Sequence, residues 1–188
     1  DSSNGQGMNA NDLNAGTEQA PPSLLADAEG LGENPANNPE AILLAENPDG
    51  SRLYELNGVT SLWYAGEDGQ MGTGDDELSY AEKDSLDGKR YRYNYDRKTR
   101  RLLNIVDQAT GEVVASAEYE ENLETNLGKM TLTQKDGSVY EYEYNLSEGP
   151  REHLRLLSAT FENEDGKMVK QEFDENEQLI AETDLATG

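Results

Sequence analysis

From residue 41 onward, apolar and polar side chains alternate with a period of two. In the stretch 90–96, Tyr91, Tyr93 and Tyr95 fall on one side and Arg90, Arg92 and Asn94 on the other; in 139–145, Tyr140, Tyr142 and Tyr144 alternate with Glu141 and Glu143. This is the period of a strand that buries one face. Further strands are predicted at 52–56, 59–64, 78–82, 101–107, 112–120, 129–134, 154–162, 167–174 and 178–183. Turn dipeptides stand between them: Asn57-Gly58, Asp87-Gly88, Asp136-Gly137 and Asp165-Gly166, with Thr110-Gly111. Such pairs tolerate the positive φ angles of tight hairpins. No segment after residue 40 repeats its apolar residues at three and four. The pattern predicts an all-β chain, an antiparallel meander of repeated hairpins closing as an open sheet, a sandwich or a barrel.

An internal repeat supports the meander. DGKRYRYNYD at 87–96 matches DGSVYEYEYN at 136–145 with the tyrosines offset by 49, and each copy continues to a leucine pair, a glycine turn and a further aromatic. We read two copies of a three-stranded unit, about 78–124 and 130–180. Duplicated β units bury their apolar faces against one another, so the copies are expected to form one domain over 41–188.

Residues 1–40 differ. They hold seven Asp or Glu, no Lys or Arg and no aromatic residue, and are rich in Asn, Gly, Ala and Pro. This composition cannot bury enough apolar surface to offset its ordering entropy, which predicts a disordered acidic tether. The stretch 23–31 is the one part with enough apolar residues for a helical turn or two.

Charge narrows the partners. The 39 acidic and 15 basic residues leave a net charge of −24. Such a field repels nucleic acid and anionic membranes and attracts cations and basic partners. Cysteine is absent, which excludes disulfides and thiolate chemistry. No apolar run approaches the roughly 20 residues of a membrane span. The chain starts at Asp1, as in a processed product.

The candidate chemistry is sparse. The loop AGEDGQMGTGDDE at 65–77 offers Asp68, Asp75 and Asp76 as carboxylates, Gln70 as an amide and four glycines for flexibility. Calcium takes six to eight such oxygens on a loop that can curl, so these four residues are the candidate calcium ligands. The spacing does not follow an EF-hand, and a polar turn in an acidic chain would look the same. Tyr91, Tyr93, Tyr95, Tyr140, Tyr142 and Tyr144, extended by Trp63, are the candidate ligand-binding surface for a protein, a carbohydrate or a small ligand; the alternative is that they are simply core. His153 is the single histidine, so the common zinc and nucleophile–base arrangements are unavailable. The basic island at 97–101 is expected to end a hairpin and pair with the acidic surface. We expect no enzyme.

Two resemblances add to this. YNYD at 93–96 and FDENEQLI at 173–180 resemble the YD repeats of bacterial surface and secreted proteins (RHS-type), in which an aromatic-Asp pair precedes a glycine turn and a hydrophobic strand. Here Asn176-Glu177 stands where the glycine is expected, and Asn145 replaces the Asp of the second copy. The resemblance implies an extracytoplasmic β scaffold with carbohydrate or surface binding. The polar lead of 1–40 is similar to the linker of a bacterial lipoprotein, which would place a lipid anchor upstream of Asp1 and make it the chain's one link to a membrane. The reading that follows is a non-catalytic secreted or envelope-anchored binding or structural module, at the cell surface or in the periplasm, with calcium stiffening one edge. The alternatives are a β barrel holding a small hydrophobic or lipid ligand, and an acidic mimic of nucleic acid that blocks a basic partner.

Overall fold

The computed structural model describes residues 20–25, 33–150 and 153–187. Twelve strands follow one another: β1 (Ile42–Glu46), β2 (Arg52–Leu56), β3 (Val59–Tyr64), β4 (Glu77–Asp84), β5 (Arg90–Tyr95) and β6 (Leu102–Asp107) in the first half. The second half holds β7 (Val113–Asn122), β8 (Leu127–Gln134), β9 (Val139–Asn145), β10 (Arg155–Glu162), β11 (Met168–Phe173) and β12 (Leu179–Asp184). Each pairs antiparallel with its sequence neighbours in a single sheet ordered β1 to β12. The meander is as expected, and among the architectures left open it is the open sheet. The closed barrel is not formed, because β1 pairs only with β2 and β12 only with β11.

The alternation in sequence becomes alternation of burial. Val59, Ser61 and Trp63 of β3 are buried, as are Tyr91 and Tyr93 of β5, Met130, Leu132 and Gln134 of β8, and Tyr140, Tyr142 and Tyr144 of β9. The residues between them are half-buried or exposed. A large cluster runs from Val59 through Ile105, Leu132 and Phe161 to Val169; a smaller one joins Tyr54, Trp63 and Leu78. Register shifts interrupt five of the six hairpins that join an odd strand to the next even one, which marks them as bulges that bend and twist the sheet.

Two turn designs recur. In the five-residue design the first N–H donates to the last carbonyl, as from Ser85 to Lys89 (2.7 Å), Gln134 to Ser138 (2.9 Å) and Asn163 to Lys167 (2.8 Å), and the fourth residue is glycine with φ of 84°, 92° and 77°. The six-residue design begins at Asp96, Asp107, Asn122 and Asn145, whose side chains accept backbone N–H groups of their own turn. This is what the Asp of the aromatic-Asp pair does here: at Asp96, as at Asp174, it replaces a strand partner for two amides.

Two details differ from expectation. The offset of 49 residues carries β5 onto β9, so the repeat spans four strands rather than three. And β1 has no counterpart among the predicted strands, because ILLA is an apolar run without alternation. It forms an edge, with Ile42, Leu43 and Leu44 all exposed.

Of the stretch read as a tether, residues 1–19 and 26–32 lie outside the described residues. Two pieces are packed on the sheet. Pro35–Asn37 forms a 3-10 turn, capped by the Asn34 side chain, beside β2. Residues 20–25 lie against the tyrosine face, with Ser23 only 5% exposed.

Candidate functional site

β5 and β9 present their tyrosines on the same face of the sheet, four strands apart. All but one of the six are buried; Tyr95 is half-buried and packs against both clusters. A buried phenol needs a partner for its hydroxyl, and several of these partners are not on the sheet. The Tyr93 hydroxyl donates to the Leu24 carbonyl at 2.7 Å. That of Tyr142 donates to Ser23 Oγ at 2.9 Å, and that of Tyr140 to the Pro21 carbonyl. In return, the Leu24 N–H donates to Gln134 Oε1 at 2.6 Å. Ala20, Leu24 and Leu25 add apolar contact with the core. The stripe is therefore core along its rings and a polar seat at its tips.

Tyr91 and Tyr144 turn to the sheet's own rim. Tyr91 donates to Asp87 Oδ2 at 2.8 Å, and Tyr144 reaches Glu121 at 3.5 Å while its ring lies over Gly128. Burial pushes the phenols of Tyr119, Tyr140, Tyr142 and Tyr144 above their ordinary value of 10.0, so they stay neutral donors. Trp63 does not extend the stripe. It lies in the smaller cluster, 1% exposed, with Nε1 donating to Ser61 Oγ at 2.8 Å.

The acidic loop joins β3 to β4, and its carboxylates serve its own backbone. Asp68 accepts the Gln70 N–H at 2.8 Å. Asp75 accepts the Thr73 hydroxyl at 2.6 Å and the Asp68 N–H at 3.0 Å, which hold its carboxyl below the ordinary 3.8. Asp76, 2% exposed, accepts the Gly72 N–H at 2.6 Å and the Asn34 side-chain amide at 2.8 Å. Asp68 and Gln70 are exposed whereas Asp76 is buried, and the Thr73 hydroxyl lies between the Asp75 and Asp76 carboxylates, at 2.6 and 3.5 Å. Among the described residues no three His, Asp or Glu side chains converge for a metal. The loop is closed by hydrogen bonds among its own groups and to Asn34.

The basic island sits beside this loop. Arg97 stacks over Tyr64 at 3.9 Å and approaches Glu77, Lys98 pairs with Glu77 at 3.0 Å, and Arg100 donates to the Gly74 carbonyl. Arg101 pairs with Glu121 and lies 5.1 Å over the Tyr119 ring. The island thus ends a hairpin and pairs with acidic neighbours, as its sequence suggests. His153 is exposed.

Gln134, Pro21, Ser23 and Leu24 belong to the site and are not among the sequence candidates. Two signals pointed to them. Gln134 is a polar residue at a core position, after Met130 and Leu132, and APPSLL at 20–25 is an uncharged patch within a polar, acidic stretch. No protein-family model and no curated protein matches the chain.

Proposed function

We propose that the chain is a non-catalytic binding module, secreted or anchored at the cell envelope, whose working surface is the tyrosine face of β5 and β9. The observation that carries this reading is the set of hydroxyls from Tyr93, Tyr140 and Tyr142, which leave the sheet to meet a polypeptide backbone and a serine. Phenols are suited to the task, since each combines a large apolar ring with one donor and loses little rotamer entropy. The aromatic-Asp turns and the polar lead of the chain support an extracytoplasmic setting. The strong negative charge disfavours nucleic acid and anionic lipid as ligands.

The test is the double variant Tyr93→Phe plus Tyr142→Phe, which keeps both rings and removes both donors. Each lost bond is worth about 0.5–1.5 kcal/mol. The variant should stay folded while amide exchange at Leu24 quickens tenfold or more. Unchanged exchange at Leu24 would mean that the hydroxyls do not hold the segment.

A further inference from the structure

The segment on the tyrosine face is matched to its seat atom by atom. The Pro21 and Leu24 carbonyls and Ser23 Oγ accept the three phenol protons, and the Leu24 N–H meets the one acceptor, Gln134 Oε1. Gln134 is aimed by a second contact: its Nε2 donates to Ser138 Oγ at 3.0 Å, which leaves Oε1 for the segment. Pro21 and Pro22 lack N–H groups and so need no acceptors, and at the turn of Leu24 and Leu25 the Leu25 N–H donates back to Ser23 Oγ at 3.1 Å. No charged group of the segment enters the seat, since residues 20–25 carry none.

These contacts go to main-chain atoms, one hydroxyl and two leucines. None of them requires the segment to belong to the same chain. We propose that the tyrosine face is a docking site for a Pro-Pro-Ser-Leu-Leu segment of another polypeptide that turns at its leucines, and that residues 21–25 occupy it in cis. The proposal rests on the face being the working surface, and adds the class of partner and the way access is controlled. A tethered occupant competes at an effective concentration in the millimolar range, so a partner binds well only when the cis copy is released. The seat also sets a rule of selection: the position of Leu24 must carry an N–H, which excludes proline there.

The experiment uses the full chain and its Leu24→Pro variant, which removes the N–H that Gln134 accepts. A fluorescent peptide of residues 18–27 is titrated against each and followed by anisotropy. The Leu24→Pro chain should bind this peptide at least tenfold tighter than the wild-type chain, and a peptide carrying the same Leu24→Pro change should bind neither. Equal affinity for a scrambled peptide would overturn the match to this segment and leave the binding face standing. Absence of binding to either peptide by a released chain that still melts cooperatively would overturn both. Ser23→Asp, which puts a charge beside Tyr142, is the second route to release. Loss of the folded state in both variants would make the segment a fixed part of the core and overturn the docking site.

Discussion

Glu177 occupies a backbone conformation that the other five-residue turns give to glycine. The turn from Asp174 to Gln178 has the same closing bond as those ending in Lys89, Ser138 and Lys167, at 2.9 Å, and Glu177 takes φ 61° in the glycine position. Its carboxylate accepts the Leu156 N–H at 2.8 Å, an amide beside the bulge of β10, which offsets part of the backbone cost. The Asx-Gly pairs marked where turns fall, but not their length: Asn57-Gly58 alone makes a two-residue turn, with both φ angles positive. At Gly88, φ is 84° and nothing lies within 4 Å of an added Cβ. Gly88→Ala therefore isolates backbone strain, and should cost about 1–2 kcal/mol in chemical denaturation. Asp76→Ala should cost about 1–3 kcal/mol, because the Gly72 N–H and the Asn34 amide lose their acceptor in a buried place. The carboxylates were legible as a group, whereas their direction was not: Asp75 and Asp76 share the Thr73 hydroxyl, yet Asp75 adds the Asp68 N–H while Asp76 adds the Gly72 N–H and the Asn34 amide, and only the folded loop decides which.

At the scale of elements, the period of two made eleven of the twelve strands readable, because one buried face stamps itself on the sequence. β1 escaped because an edge strand with both faces exposed has no such requirement. The pairing of β8 with β9 adds a constraint that no pattern shows. An added Cβ at Gly128 would meet the Tyr144 ring at 2.3 Å. Gly128→Ala must push that ring off its place and should destabilise by about 1–3 kcal/mol, as overpacking does, with a visible change in near-ultraviolet circular dichroism. The hairpins also set the acid limit of the fold. Thr99 and Lys98 N–H groups lower the Asp96 carboxyl, those of Lys89 and the Tyr91 hydroxyl lower Asp87, and Ser51 lowers Asp49. A carboxyl lowered in the folded state stabilises above its unfolded value of 3.8 and ceases to do so as pH falls through the folded value. The melting temperature should accordingly hold between about pH 5 and 7 and fall below about pH 4.

For the whole molecule the sign is reversed on the alkaline side. Phenols raised by burial keep the folded state neutral where the unfolded chain ionises, so their stabilisation is complete below pH 10.0 and is lost as pH rises beyond it. Phenolate absorbance from Tyr119, Tyr140, Tyr142 and Tyr144 should therefore appear together with unfolding rather than before it. A net charge of −24 also opposes compactness. Sodium chloride should raise the melting temperature through screening, and millimolar calcium should do no more than magnesium at equal ionic strength. A calcium-specific rise would restore the acidic loop as a metal site. The tyrosines were readable as one buried face, but their partner was not, because it comes from a stretch whose composition argues for disorder and whose contact lies more than a hundred residues away in sequence. The most direct measurement is a nuclear Overhauser spectrum of the full chain. Cross-peaks from the Ser23 β protons to the Tyr142 ring, and from Leu24 to the Tyr93 ring, are what the account predicts; their absence, with the sheet's own cross-strand peaks present, would contradict it.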